Sequence, residues 1–357
     1  MHEKLAVSCV ICTHNGVDRI VPTLLSLQKQ QFISDIDWEV LIVDNRSSDD
    51  LLQVIDNVWK GNEITLLRVV REEQLGLAHA RHRAFKEARY PVVSFIDDDV
   101  RVDQTWVQNV SNLMTLNTTC GAMGGFGIAV FGATPPLWFE RHRERYVVGP
   151  QGQAVGDVTE TERTLWGAGL TVRMEAINKL IDEGFQQLLV GRHGDALSCG
   201  EDTELSLALR LAGWGIFYEP SLTYEHALPA VRMQWGFLRR WYRGFGAASL
   251  SFDPYHFARA EASGKLIFWY QKQWQCKILS TLLRIIKDPV CLVKALLFSC
   301  EDDDSVLWLE YKIGKLQRIL RLRSRYNEQL RIVTHAAWRT SVAPKAVIRS
   351  EKLAVDG

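Results

Sequence analysis

Three consecutive carboxylates, Asp97, Asp98 and Asp99, close the apolar part of the stretch P-V-V-S-F-I-D-D-D-V-R-V. Val92, Val93, Phe95 and Ile96 form a run too short for a free-standing helix and rich in strand formers, so it reads as a buried strand. Adjacent carboxylates repel one another, and leaving them unpaired at the mouth of such a strand is costly. A divalent cation would remove that cost. Hard oxygen ligands suit Mg²⁺ or Mn²⁺, which keep positions open for substrate phosphates. The other reading is a solvated acidic turn ahead of a helix expected over 104–116. A second acidic cluster, Gly200-Glu201-Asp202-Thr203-Glu204, precedes Leu205, Ala208, Leu209 and Ala212, which share one helical face that Gly213 ends. Position alone makes Asp202 an N-cap.

The elements that must hold these groups alternate regularly. Val7 to Ile11 is an apolar strand followed by the polar loop Cys12-Thr13-His14-Asn15-Gly16, after which Ile20, Leu24 and Leu27 recur at helical spacing. A second strand over 38–43 ends in Asp44-Asn45-Arg46-Ser47-Ser48, and a helix carrying Leu51, Val54, Ile55 and Val58 follows. A third strand over 65–70 leads to a helix over 75–88 that bears Arg81. The strand before Asp97 is the fourth. This run of βαβ units predicts a parallel sheet with helices on both faces. Ligands of such sheets bind beyond the carboxyl ends of the strands, where the Thr13, Asp44 and Asp97 loops converge. No G-x-G-x-x-G follows the first strand and no G-x-x-x-x-G-K-[ST] occurs, which argues against a dinucleotide dehydrogenase and a P-loop NTPase.

Composition narrows the class further. Hydrophobic residues make up 47% and charged residues 24%, enough for a core. Lys+Arg and Asp+Glu both number 42, so there is no overall field to attract nucleic acid. Seven scattered cysteines, with Cys9 of the Cys9/Cys12 pair inside a strand, fit reduced thiols and a cytoplasmic location. Neither a signal-peptide segment nor a run of about 18 uncharged apolar residues is present.

V-S-C-V-I-C-T-H-N-G, W-E-V-L-I-V-D-N-R-S-S-D-D, G-L-A-H-A-R, F-I-D-D-D-V, W-G-A-G-L-T-V-R and C-G-E-D-T-E-L-S-L-A-L-R-L-A-G-W occur in this order, followed by His226. Together they resemble glycosyltransferase family 2, the inverting enzymes of the GT-A fold, over roughly residues 5 to 230. The resemblance implies an α/β fold: GT-A, Rossmann-like, with a mostly parallel sheet flanked by helices and a C-terminal helical extension. It implies a metal-dependent enzyme moving a sugar from a UDP-, dTDP- or GDP-sugar to a hydroxyl of a glycan or lipid-linked acceptor, in cell-surface polysaccharide biosynthesis. Asp44, Thr13 and Asn15 would meet the base. Asp44 has a second reading, as a cap of the next helix. Arg81 would approach the diphosphate or stand as a solvated helix arginine.

By the same resemblance Asp97 and Asp99 match the outer carboxylates of an Asp-x-Asp motif, with Asp98 between them on the donor side. Asp99 would contact Mn²⁺ or Mg²⁺, Asp97 the ribose or the ion, and His226 would be a further metal ligand, or else an ordinary structural histidine. Asp202 becomes the general base, and Glu201 orients the acceptor or the backbone. Trp166, Gly167, Ala168 and Gly169 would border donor sugar and acceptor, or form a tightly packed interior strand. Arg240 and Trp241, in R-R-W-Y-R-G, would touch acceptor or phosphate, or lie on a basic helix face; Q-x-x-R-W is not met, which speaks against processive polymerisation. Two other classes compare poorly. Sugar-phosphate nucleotidyltransferases open with a glycine-rich loop where this chain has Gly16 alone, and a non-catalytic assembly subunit has no need of Asp97, Asp99 and Asp202.

The family pattern fades near residue 244, which suggests a nucleotide-sugar domain over 1–244 and a helical region over 245–357. Between Lys265 and Cys300, six cations face Asp288 alone, interleaved with Phe268, Trp269, Tyr270, Trp274 and a run of leucines and isoleucines. A basic helix with such a face suits an anionic membrane surface, or packing against the catalytic domain or a second subunit. A further amphipathic helix is expected over 307–330, and a disordered tail from Ala343.

Overall fold

The computed structural model describes residues 4–161, 163–189, 199–287, 289–297 and 300–340; the tail from Ala343 lies outside them. Among these described residues nine strands form one sheet: β1 (Val7–Thr13), β2 (Trp38–Asp44), β3 (Leu66–Arg71), β4 (Val92–Phe95), β5 (Val100–Val102), β6 (Cys120–Phe131), β7 (Gly156–Asp157), β8 (Thr171–Arg173) and β9 (Gly215–Leu228). Their order is β3-β2-β1-β4-β8-β6-β9-β5, with β7 alongside β9. The first half is parallel, as expected: β1 pairs β2 and β4, and β2 pairs β3. Beyond β4 the sheet turns mixed, because β8 runs antiparallel to both β4 and β6.

Strands buried on both faces read as near-continuous apolar runs, as β1 and β2 do, and the buried polar pair within them, Ser8 and Glu39, is joined by a hydrogen bond of 2.8 Å. Val7, Cys9 and Ile11 of β1 with Val40 and Ile42 of β2 join one core, formed with the helices Ile20–Gln28, Leu51–Trp59 and Trp106–Leu116. Val10, Leu41, Val43, Val93 and Phe95 turn to the other face, where Ala80 and Ala84 of Leu77–Glu87, Ile177 of Met174–Asp182 and Leu205 of Glu201–Leu211 cover them. The period of two thus sorts each strand's residues between two helical layers.

His226 lies inside β9, two residues before its end at Leu228. Two expectations change. Trp166–Gly169 is not an interior strand but a turn leading into β8, closed by the Leu170 amide donating to the Gly167 carbonyl. The single helix expected over 307–330 is two, Asp304–Leu322 and Tyr326–Thr334.

Residue 244 falls within one continuous helix, Trp235–Ala262, that leaves the sheet and carries the C-terminal helices. Asp304–Leu322 crosses it at Gly246 and Gly314, where a Cβ would stand 1.9 Å from the carbonyl oxygens of Tyr311 and Arg243 respectively. Beside the crossing, the buried Glu310 accepts from Arg239 Nη2 at 2.8 Å and from Arg243 Nε at 2.7 Å. Two arginines of the R-R-W-Y-R-G segment therefore hold a helix in place. No described helix is long and apolar enough to cross a membrane.

Candidate active site

At the carboxyl rim, parallel register sets Thr13 beside Asp44. Asp44 is buried; one carboxylate oxygen accepts from the Ser47 amide at 2.8 Å and the other from Arg71 Nη1 at 2.9 Å. It shapes its own loop and does not cap the helix that begins at Leu51. Asn15 adopts a left-handed conformation (φ 49°), accepts from the Ser48 amide at 2.8 Å and donates its own amide to Ser47 Oγ at 2.9 Å. The two loops that would line a base are thus sewn together before any ligand arrives.

The three aspartates after β4 are separated, each toward a different arginine. Asp98 accepts Arg19 through both oxygens, at 3.1 and 2.8 Å, and Thr13 Oγ1 at 2.6 Å, fastening the end of β4 to the loop after β1. Asp97 lies in the field of Arg81. Asp99 accepts Arg232 Nη2 at 2.9 Å and stands 3.5 Å from His226 Nε2. Balancing these carboxylates therefore does not by itself require a metal, contrary to the expectation from their spacing.

Asp99 and His226 nevertheless form a donor pair. Within β9, His226 lies opposite Val100 of β5, and its Nδ1 donates to the Tyr146 carbonyl at 2.8 Å, leaving Nε2 turned toward Asp99. A carboxylate and an imidazole nitrogen at this separation suit a divalent ion whose other positions are filled by diphosphate and water. Among the described residues there is no group of three or more His, Cys, Asp or Glu that could hold a metal, so the pair fits such an ion only with substrate oxygens completing the shell. Arg232 Nη1 donates to that same Nε2 at 3.0 Å.

A second cluster sits on the other side of Asp97. Arg81 is buried, not solvated: it pairs with the buried Glu201 at 3.4 Å and packs its guanidinium 5.4 Å from the centre of the Phe95 ring. Burial pushes the guanidinium's pKa down, and Glu201, Asp202 and Asp97 together more than reverse this, so the charge is retained. Asp202 occupies the first turn of Glu201–Leu211, where oriented amides favour an anion. Its Oδ2 accepts the Gly167 amide at 2.7 Å and its Oδ1 the Thr203 amide at 2.7 Å. Any side chain at position 167 would collide with Arg81, since a Cβ there would be 2.3 Å from Nη2. Trp166 donates its amide to Gln151 at 2.7 Å, Ala168 is buried, and Gly169 (φ 71°) turns the chain against Trp106 and Tyr224.

Of the two residues expected to touch acceptor or phosphate, Trp241 turns inward and Arg240 outward. Trp241 is buried in an aromatic cluster, edge-on to Tyr146 at 5.1 Å, where it supports the carbonyl that orients His226. Arg240 is exposed and lies over Phe237. Sequence reasoning missed Arg19, Arg71 and Arg232; isolated arginines at the ends of elements or in short turns carry no pattern that would single them out.

Residues 8–178 match the model of a family described as glycosyl transferase family 2. Over 96 residues the chain is 29% identical to the uncharacterized glycosyltransferase YfnE of Bacillus subtilis (strain 168), covering 27% of this chain and 24% of that one. Over 135 residues it is 27% identical to TuaG of the same organism, a glycosyltransferase named for teichuronic acid biosynthesis, covering 37% and 51%. The matches thus span about a quarter and about half of these relatives' lengths. Among solved structures, the 1–349 segment of S. aureus TarS in complex with UDP is similar in fold, with a TM-score of 0.50 at 17% identity over 91% of this chain and 92% of that one. The same segment in complex with UDP-GlcNAc gives 0.50 at 15% identity over 93% and 91%. Residues 8–178 thus resemble glycosyl transferase family 2, and the fold is GT-A.

Proposed function

We propose that this protein is an inverting glycosyltransferase that moves a sugar from a nucleotide-diphospho-sugar to a hydroxyl of a cell-surface glycan or lipid-linked acceptor. The observation that carries the reading is the meeting at one sheet rim of two dissimilar acidic groups: Asp99 with His226 on one side of Asp97, and Asp202 with Arg81 on the other. The first can hold a divalent cation, Mn²⁺ or Mg²⁺, which when bound offsets the charge gathering on the departing diphosphate. Asp202 accepts the proton of the acceptor hydroxyl as that oxygen bonds to the anomeric carbon from the opposite face. The carbon–oxygen bond to the diphosphate breaks, and its electron pair leaves with the nucleotide. The Gly167 and Thr203 amides hold Asp202 in one orientation, so little positioning is left to the moment of reaction. Thr13, Asn15 and Asp44 receive the base and ribose. A uridine donor is favoured by the UDP and UDP-GlcNAc bound to the similarly folded TarS, and a cell-surface polymer by the name of TuaG.

The test is a panel of UDP-, dTDP- and GDP-sugars with Mn²⁺ or Mg²⁺. One donor should raise the melting temperature, as any ligand bound only by the native state must, and be slowly hydrolysed. Asp202→Asn should keep the stabilisation and lose turnover. Turnover near that of the unaltered protein removes Asp202 as the base, and release of pyrophosphate in place of nucleoside diphosphate makes the enzyme a nucleotidyltransferase.

A further inference from the structure

The helix Trp274–Ile286 is apolar on two faces, only one of which is used inside the protein. Trp274 and Ile278 pack against Leu250, Ile319 and Tyr326, and Ile285 against Cys291, Val306 and Leu309. Leu279, Leu282, Leu283 and Ile286 point outward. Their i, i+3, i+4, i+7 spacing makes them a continuous stripe, and all four are 37–64% exposed. The next helix, Pro289–Leu297, exposes Val290 and Val293 as well. Ahead of the stripe, Leu266, Phe268, Trp269 and Tyr270 are also exposed, Trp269 at 72%, with Phe268 stacked on Tyr270 at 5.6 Å. Isolated exposed apolar side chains are ordinary, whereas an aligned set with aromatics at one end marks an interaction surface.

The charges around this surface identify the partner. Lys265, Arg284 and Lys287 are exposed and make no ion pair among the described residues, whereas Lys272 and Lys277 are engaged by Glu261 and Asp253. A second copy of the same face would bring like charges together, and a neutral apolar partner would leave them unanswered. The geometry points to an anionic lipid surface as the occupant of this face. The helix lies in the plane of the interface, its leucine stripe among the acyl chains, its aromatics at the headgroup level and its cations on the phosphates. Its 13 residues are too few to span a bilayer. The assignment stands apart from the transfer reaction and is testable without any donor.

The full chain is mixed with vesicles of phosphatidylcholine alone, or with a third of the lipid replaced by phosphatidylglycerol, and floated through a sucrose gradient. Protein should rise with the anionic vesicles and stay behind with the neutral ones, and raising the salt should release it. Leu283→Glu/Ile286→Glu should abolish flotation. Arg284→Gln and Lys287→Gln should each weaken partitioning about fivefold. All four side chains are exposed, so circular dichroism and the melting temperature should stay those of the parent. Equal flotation with both vesicles, flotation unaffected by the leucine-stripe change, or no flotation at all overturns the assignment. So does a parent dimer in sedimentation equilibrium that Leu283→Glu/Ile286→Glu converts to monomer, which would assign the face to a second copy.

Discussion

The guanidinium of Arg232 bridges Asp99 and His226, donating to Asp99 Oδ2 at 2.9 Å and to His226 Nε2 at 3.0 Å, so a monovalent cation already occupies the position suited to a divalent one. A divalent ion and a guanidinium about 4 Å apart would repel by about 8 kcal/mol at an effective dielectric of 20, so metal and guanidinium exclude one another there. Arg232→Ala should therefore bind Mn²⁺ at least about tenfold more tightly in the absence of donor, the equivalent of about 1.4 kcal/mol. Electron paramagnetic resonance of free Mn²⁺ measures this directly. An unchanged dissociation constant would mean that the arginine and the metal do not compete.

Arg81 and Glu201 are both buried, but their losses should be unequal. Removing Arg81 leaves Glu201 facing Asp202 and Asp97 without their shared cation, and breaking a buried pair in this way costs about 3–5 kcal/mol. Glu201→Gln leaves Arg81 with two carboxylates beside it and should cost clearly less. Urea denaturation of Arg81→Gln and Glu201→Gln gives the order, and the reverse order would show that Glu201 is the anchor of the cluster.

Much of this site could be read from residue types because it lies where strands end. Apolar runs located β1, β2 and β4, and the polar residues after each run had to gather at one rim. Asp44, Asp97 and Asp99 were singled out in that way, whereas Asp202, at the start of a helix, was singled out only by the family resemblance. Their pairing was not legible. Arg19, Arg71 and Arg232 lie 79, 27 and 133 residues in sequence from Asp98, Asp44 and Asp99, whose carboxylates they meet, and only the folded sheet joins them. Trp241 misled for the complementary reason: a tryptophan between arginines resembles a sugar platform, yet its helix turns the ring into a core and leaves Arg240 outside. The two-faced helix Trp274–Ile286 was half legible, since periodicity shows that apolar faces exist but not which one the protein covers.

Glu204 makes the stability of the acceptor side depend on pH. Its carboxylate accepts the amides of Leu188 and Leu189 at 2.7 and 2.9 Å and the hydroxyl of Tyr255 at 2.6 Å. Burial nevertheless pushes its pKa up to about 7 from an ordinary 4.5. A pKa raised by folding means the native state holds the proton more tightly. The stabilisation is complete below the unfolded value and is lost as pH rises through about 7, by an amount on the order of 3 kcal/mol. Glu204→Gln, neutral throughout, should flatten the fall in melting temperature between about pH 5 and pH 8. An identical pH profile in the two proteins would place the titrating group elsewhere.

At the crossing of Trp235–Ala262 with Asp304–Leu322, ordinary helix propensity should be reversed. Replacing glycine by alanine inside a helix usually stabilises by about 1 kcal/mol, because alanine loses less backbone freedom on folding. At Gly246 and Gly314 the added methyl would meet a backbone carbonyl at 1.9 Å, and neither helix can move without disturbing Glu310 and its two arginines. Overpacking of that kind costs about 1–3 kcal/mol, so each substitution should be net destabilising. Gly236 is the control: it lies near the start of the same helix, and the nearest atom to a Cβ there is 3.9 Å away. Gly236→Ala should hold or raise the melting temperature while Gly246→Ala and Gly314→Ala lower it. A rise in all three would mean that the two helices do not approach closely enough for glycine to matter.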